Sequence, residues 1–137
     1  MRKISGSQVL VADKMSANVL AGTALSTILR TIPVEFRCAV IAADENVGPF
    51  TCYGLLKLGT NELSRQWMAV LPDAVYQTGT GGTTGLVAKG WSGAQRVGLT
   101  DDDIIYTGEL VINEIGSLAL TFFSTHAATI IWEALYR

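Results

Sequence analysis

Few residues in this sequence are able to carry out acid–base or nucleophilic chemistry. His126 is the only histidine, and neighbouring Ser124 and Thr125 do not form a catalytic arrangement with it, because adjacent strand residues point to opposite faces. His126 and the two cysteines, Cys38 and Cys52, lack the spacing that is typical of a zinc site. The sequence therefore predicts a protein that is not an enzyme and that holds no cofactor and no metal.

Two short segments have the residue types of a ligand site without its full pattern. Three consecutive aspartates at residues 101–103 offer oxygen ligands to a cation, but they lack the alternating ligands of a calcium loop. We interpret them as a solvated turn, and cation binding stays open. The segment GTGGTTG at residues 79–85 lacks the lysine followed by serine or threonine that ends a phosphate-binding loop. We interpret it as an uncharged surface loop.

Aromatic residues are the remaining candidates for contact with a ligand. Platforms that stack nucleobases are accompanied by basic grooves, whereas the 10 basic residues of this chain are scattered. Packing in a core or an interface is the favoured interpretation, and stacking on a sugar ring stays open because it requires no basic charge. The aromatic residues concerned are Tyr53, Trp67, Tyr76, Trp91, Tyr106, Trp132 and Tyr136.

The elements that must position these residues are predicted to be β-strands. In residues 34–42, Val34 and Phe36 alternate with Glu35 and Arg37, which is the period of a half-buried strand. We predict one all-β domain over residues 1–137, an antiparallel β-sandwich whose leading topology is a jelly roll of about eight strands. The predicted strands cover residues 7–12, 34–42, 50–58, 66–71, 86–89, 104–112, 117–124 and 127–136.

The segment 34–58 is predicted to form a hairpin around the turn cluster DENVGP at residues 44–49. This pairing would place Cys38 and Cys52 diagonally rather than directly opposite each other. Buried free thiols are therefore favoured over a disulfide bond.

Two segments bear on export and membrane insertion. Residues 115–132 carry no formal charge and are long enough to cross a bilayer, but their most polar part lies in the middle. We predict two strands there, with a turn near residues 124–126. The basic N-terminus is followed by only a short apolar run at residues 9–12, which is too short for a signal peptide. We therefore predict a soluble protein with no secretion signal and no membrane span.

The N-terminal residues 1–31 are predicted to form an extended or partly helical arm. Met15 and Val19 recur at helical spacing, but Gly22 and several serines and threonines weaken a helix, and residues 15–29 carry no charge. The last strand carries large apolar residues on both faces, which a sheet covered on one side does not require. Both features predict contact with neighbouring copies. The predicted contact residues are Val19, Leu20, Leu25 and Leu29 in the arm and Ile131 and Leu135 in the last strand.

Composition supports an assembled state. Charged residues make up 16% of the chain, against about 25% in an average soluble domain. A hydrophobic fraction of 49% excludes a disordered chain. The net charge of −2 argues against a nucleic-acid module that depends on neutralising phosphates. A surface with so little charge predicts a homo-oligomer whose interfaces resemble a divided core.

Two segments carry a resemblance to a known group of proteins. VEFRCAVIAADENVGPFTCYGLLKL and GELVINEIGSLALTFFSTHAATIIWEALYR, with the arm-like N-terminus, resemble single jelly-roll structural proteins of non-enveloped viruses and phages. The resemblance is one of pattern and covers just under half of the chain. It implies a virion structural protein that is assembled in the host cytoplasm. Such a protein would associate with copies of itself, and with other virion proteins, into a capsid or a capsid-attached layer.

Many proteins of that group carry a strongly basic arm that packages nucleic acid. The arm of this chain has only Arg2, Lys3, Lys14 and Arg30, so no nucleic-acid partner is expected. The alternative hypothesis is a ligand-binding β-sandwich module of the carbohydrate type, with Trp67, Trp91 or Tyr106 on a stacking face. That hypothesis predicts a monomer or dimer that binds a glycan saturably.

Overall fold

The described part of this protein consists mainly of β-strands. The computed structural model describes residues 1–43, 50–70, 75–80, 87–90 and 99–137, and the side chains of 1–40, 50–66 and 99–137. Within these ranges there are nine strands and two 3₁₀ helices, the latter at Ala24–Thr27 and Asp101–Asp103. The strands are β1 (Arg2–Leu10), β2 (Thr31–Ala43), β3 (Phe50–Leu58), β4 (Asn61–Val70), β5 (Val75–Thr80), β6 (Val87–Gly90), β7 (Ile104–Val111), β8 (Leu118–Ser124) and β9 (Ala128–Tyr136).

The strands form two antiparallel sheets. Sheet A has four strands in the order β1-β9-β2-β7, and sheet B has five in the order β6-β5-β4-β3-β8. In sheet A, Trp132 of β9 pairs with Gly6 on one side and with Cys38 on the other. In sheet B, Tyr53 of β3 pairs with Trp67 and with Phe123. The all-β prediction is therefore confirmed.

Alternating burial brings the two sheets face to face. In β9 every second residue from Ala128 to Tyr136 is buried, and the residues between them are half-buried on the opposite face. Strand β8 alternates in the same way. The buried side chains of both sheets form one hydrophobic cluster, in which Phe36, Phe122 and Ile130 have no exposed surface. The result is a two-layer, β-sandwich-like arrangement in which the same period-two pattern supplies both halves of the core.

The predicted hairpin over residues 34–58 is wrong. Strand β2 lies in sheet A between β9 and β7, whereas β3 lies in sheet B between β4 and β8. Both strands alternate as predicted, but this pattern shows which face of a strand is buried and not which strand lies beside it. The two segments therefore face each other across the core and are not hydrogen-bonded neighbours.

Other strand predictions differ from the structure mainly at their ends. Strands β3, β7, β8 and β9 agree with the predicted ranges to within one residue. Residues 115–132 include the predicted pair of strands, with a connection between β8 and β9 at residues 125–127. Strand β5 was not predicted, and it includes the first two residues of the GTGGTTG segment. Residues 81–85 of that segment lie outside the described residues.

Residues 1–31, which the sequence presents as an arm, lie on the subunit itself. Residues 2–10 are strand β1, paired with β9 along its whole length. After Asp13, which has a positive φ of 61°, the chain crosses to the edge of β8. The first 3₁₀ helix then leads into β2. The segment consists of β1, the stretch along β8 and one 3₁₀ helix, and it does not reach away from the sandwich.

Candidate functional site

The edge of β8 is covered by residues 13–19, which we call the edge segment. Asn18 Oδ1 accepts hydrogen bonds from the amides of Leu120 and Leu20, both at 3.0 Å, and Ser16 Oγ accepts one from Phe122 N at 2.9 Å. These side-chain acceptors replace part of the backbone hydrogen bonding that a regular neighbouring strand would provide. Backbone amides of the edge segment supply further bonds to β8: Asp13 N donates to Ser124 O at 2.8 Å, Ser16 N to Phe122 O at 2.8 Å and Val19 N to Leu120 O at 2.9 Å.

The predicted contact residues of the arm separate into two groups. Leu20 and Leu25 are 0% and 1% exposed and belong to the subunit's own core. They offer no surface to a neighbouring copy, which corrects the prediction for these two residues. The apolar side chains of an uncharged segment are expected to be buried, but the sequence does not show whether they are buried by their own chain or by a neighbouring copy. Val19 is half-buried against the same core, and Leu29 is 53% exposed.

The two predicted contact residues of the last strand lie on the outer face of sheet A. Ile131 and Leu135 alternate with the buried residues of β9 and are half-buried. Ile131 pairs with Ser7 of β1, and Leu135 pairs with Lys3. Both side chains therefore belong to the surface of the subunit, on either side of Glu133.

A network of charged residues occupies the outer face between these two side chains. Arg37 Nη2 lies 2.8 Å from Glu35 Oε2 and 2.9 Å from Asp101 Oδ1, and Arg37 Nε lies 3.7 Å from Glu133 Oε1. Lys3 Nζ lies 3.4 Å from the other oxygen of Glu133. Burial acts to lower the pKa of Arg37, but the hydrogen bond and charge of Glu35, with the charges of Asp101 and Glu133, raise it above its ordinary value. The network holds β1, β9 and β2 to the 3₁₀ turn before β7.

Apart from Met1, the exposed large apolar side chains among the described residues occur in two places. Val9 lies near the end of β1, and Val11 and Met15 follow that strand. Leu29, Val111 and Ile115, which we call the Leu29 patch, are 53%, 57% and 62% exposed. The segments of this patch are adjacent, because the amides of Ile112 and Gly116 donate to the carbonyls of Arg30 and Ser26. Val111 and Ile115 were not among the predicted contact residues, although Val111 lies two residues from Glu109 and Ile115 follows Glu114.

Both cysteines are free and buried. Burial, with smaller contributions from the charges of Cys52 and Asp103, raises the pKa of the Cys38 thiol, and burial raises that of Cys52. Such thiols are neutral and poor nucleophiles at physiological pH. The expectation of buried free thiols is confirmed, although the two cysteines lie on opposite sheets.

The three aspartates have different environments. Asp103 is fully buried, and its Oδ2 accepts hydrogen bonds from Thr100 N at 2.8 Å and Thr100 Oγ1 at 3.2 Å. Asp101 pairs with Arg37, and Asp102 is exposed. The turn is thus built around a buried carboxylate, which differs from the fully solvated turn that the sequence suggested. Among the described residues there is no group of three or more histidine, cysteine or acidic side chains that could hold a metal.

His126 lies in the turn between β8 and β9. Its amide donates to Ser124 Oγ at 3.1 Å, and that hydroxyl donates to the carbonyl of His126. The His126 ring lies 5.7 Å from the ring of Phe50. The Ser124 hydroxyl is therefore hydrogen-bonded to the backbone of the turn, and both residues contribute to the structure of this turn.

The described aromatic residues offer no free stacking platform. The ring of Tyr53 is stacked on that of Phe123, with centroids 5.5 Å apart and an angle of 25°, and Arg65 Cζ lies 4.6 Å from the Tyr53 centroid. Because β8 and β4 flank β3 on opposite sides, Phe123 and Arg65 cover the two faces of this ring. Trp132 and Tyr136 are buried, and Tyr106 packs against the core. The side chains of Trp67, Tyr76 and Trp91 lie outside the described residues.

The comparisons with known proteins add no relative. The chain matches no protein-family model, no curated protein and no solved structure. In the part of the chain that the structure describes, no helix is long and apolar enough to cross a membrane.

Proposed function

We propose that this chain is a non-catalytic virion structural protein, a jelly-roll subunit that associates with copies of itself into a capsid or a capsid-attached layer. The observation that carries the proposal is the order of the strands. A jelly roll of eight strands has one sheet in the order first, eighth, third, sixth and another in the order second, seventh, fourth, fifth. This topology occurs in viral shell proteins and also in lectin domains and cupins.

The strand order matches this scheme when the edge segment is counted as the second strand. Sheet A then has the order first, eighth, third, sixth, as β1-β9-β2-β7. The edge segment lies beside β8, which lies beside β3 and then β4, so sheet B has the order second, seventh, fourth, fifth. The pair β5 and β6 extends sheet B beyond β4 as an insertion between the fifth and sixth strands.

Apolar surface supports self-association. The Leu29 patch presents exposed large apolar side chains, and Ile131 and Leu135 add apolar surface on either side of the charged network on the outer face of sheet A. Removing apolar area from water contributes roughly 25 cal/mol per Å², which must exceed the cost of association. A stable interface buries about 800 Å² on each partner. We therefore propose that Leu29, Ile131 and Leu135 contribute contacts between copies, with Val111 and Ile115 added to the predicted set.

The carbohydrate-binding alternative depends on a free aromatic face. Phe123 and Arg65 cover both faces of the Tyr53 ring, and Tyr106 packs against the core. No observation on the described residues therefore favours the alternative over self-assembly.

The mass of the purified chain in solution tests the proposal. Size exclusion with light scattering, at several protein and salt concentrations, should show particles much larger than 14.6 kDa. Negative-stain electron microscopy should show that these particles are closed and uniform. A chain that stays monomeric at all concentrations contradicts the proposal, and saturable glycan binding by that monomer would support the alternative.

A double variant tests the outer face of sheet A. Ile131→Lys with Leu135→Lys should abolish large particles while leaving the subunit folded, because both side chains are half-buried and a lysine can extend its charged end into water. The matched control is Thr51→Lys with Thr121→Lys on the half-buried positions of β3 and β8, which adds the same charge to sheet B. Normal assembly of the Ile131 and Leu135 variant excludes this face from the contacts.

A further inference from the structure

The two outer strands of sheet A are β1 and β7. Within the described residues neither strand has another strand on its outer side. An outer strand exposes a row of backbone amide and carbonyl groups, which can pair with a strand of another chain. The charges beside these two strands therefore decide which pairings between copies are favourable.

The two edges carry opposite charge. Residues 1–12 contain Arg2 and Lys3 and no acidic residue, and both basic side chains are exposed. Residues 99–117 contain no basic residue. Asp103 is buried and Asp101 pairs with Arg37, whereas Asp102, Glu109 and Glu114 are exposed. The acidic residues of this segment are Asp101, Asp102, Asp103, Glu109 and Glu114.

The direction and register of the strands place Lys3 of β1 and Glu109 of β7 at nearly the same position along the strand direction. Neighbouring strands of sheet A are antiparallel and there are four of them, so β7 runs antiparallel to β1. Across the sheet, Lys3 pairs with Leu135, Leu135 with Glu35 and Glu35 with Thr107. Glu109 follows Thr107 by two residues and lies on the same face. A second copy set beside β7 without an axial shift would therefore place its Lys3 diagonally opposite Glu109, within reach of a cross-strand pair.

We propose that β1 of one copy pairs with β7 of the next, so that sheet A continues from subunit to subunit in a head-to-tail contact. This inference rests on the proposed self-assembly and names its contact surface. Pairing of β1 with β1 would oppose basic residues, and pairing of β7 with β7 would oppose acidic ones. Of the three pairings, only the head-to-tail contact joins opposite charges. It generates closed rings when the rotations between successive copies add up to a full turn.

Charge reversal with rescue tests the contact on the full chain. Lys3→Glu and Glu109→Lys should each raise the protein concentration at half-assembly by about fivefold or more at 0.1 M salt. An equimolar mixture of the two variants should return this concentration to within about twofold of the unchanged protein, because every contact in an alternating assembly then joins a lysine to a glutamate. In a pairing of two β1 strands or two β7 strands, each variant alone opposes like charges as the unchanged protein does, so neither reversal by itself should weaken assembly.

Control variants separate a local effect from a general one. Lys57→Glu and Glu62→Lys reverse a lysine and a glutamate that pair in the register of β3 and β4, and they should leave assembly unchanged. Lys3→Glu also removes the contact of Lys3 with Glu133 in its own subunit. Lys3→Gln loses the same contact but adds no negative charge, so it should weaken assembly less than Lys3→Glu does, and circular dichroism should show that each variant is folded.

The outcomes distinguish the two proposals. Rescue by mixing supports the head-to-tail contact. If the unchanged protein assembles but reversal has no effect, or mixing does not rescue it, the contact is wrong and self-assembly by another surface stands. If the unchanged protein is monomeric under all conditions, both proposals fail.

Discussion

Gly54 of β3 leaves the space that the Cys38 thiol of β2 fills. A Cβ added to Gly54 would lie 3.1 Å from Cys38 Sγ and 3.0 Å from Cε1 of Phe122. Glycine weakens a strand interior, because it loses more conformational freedom on folding than other residues. Its presence in β3 is explained by this close approach between the two sheets.

Gly54→Ala should lower the free energy of unfolding by about 1–3 kcal/mol, because an added methyl group must displace atoms in a filled core. Urea unfolding followed by circular dichroism measures this change. In a Cys38→Ala background the same substitution should cost less, since one of the two close atoms is gone. Equal costs in both backgrounds would show that the thiol does not limit the space at Gly54.

The buried thiols should make stability fall at alkaline pH. Burial raises the pKa of Cys38 and Cys52 in the folded protein, whereas thiols in the unfolded chain have a pKa of about 8.5. Below that pH the thiols are neutral in both states and their contribution to stability is complete. As pH rises further, the unfolded chain ionises first, so that stability falls by roughly 2–3 kcal/mol between pH 7.5 and 9.5.

Urea unfolding at several pH values checks this dependence. The matched control is Cys38→Ala with Cys52→Ala, which should be less stable at neutral pH and should lose most of the decline above pH 8.5. A decline of the same size in the control would assign it to other groups.

Asn18 should be the most important polar side chain of the edge segment. Its Oδ1 accepts from Leu120 N and Leu20 N, so Asn18→Ala leaves two amides without these partners and should cost about 1–3 kcal/mol. Hydrogen exchange should accelerate at both amides. Asn18→Asp retains the acceptor oxygen and should protect them better than alanine does. Unchanged exchange in the alanine variant would contradict the assigned role.

Arg37 should stabilise the outer face of sheet A. Its side chain is 17% exposed, and those of Glu35 and Glu133 are 23% and 14% exposed. Arg37→Ala leaves two poorly solvated carboxylates near each other and should cost about 1–3 kcal/mol. Arg37→Lys should cost less, because it keeps the charge but loses the planar donor geometry.

The comparison for Arg37 is Glu62→Ala, which removes an ion pair with Arg65 that is more exposed. That variant should change stability by less than about 0.5 kcal/mol. Thermal or urea unfolding of the three variants gives the ranking. Equal effects of Arg37→Ala and Glu62→Ala would show that the network contributes no more than an ordinary surface pair.

Local alternation of apolar and polar residues was sufficient to predict β3, β7, β8 and β9 and their buried faces. In β9, Ile130, Trp132 and Ala134 are buried on one face and Ile131 and Leu135 lie half-buried on the other, which fits the apolar residues expected on both faces of this strand. The charged network is partly visible in the sequence, since Glu35 and Arg37 fall on one face of the same strand. Its other members, Lys3, Asp101 and Glu133, are distant in sequence and carry no signal of their proximity.

The sequence by itself determined the all-β class, most strand positions and which faces are buried, because each of these depends on residues within one strand. The tertiary structure decided which strands are neighbours. It placed β2 and β3 in different sheets, put Leu20 and Leu25 in the subunit's own core and set the edge segment along β8. These outcomes depend on contacts between residues far apart in sequence, where many pairings satisfy the same alternation and only the packing of the whole chain selects one.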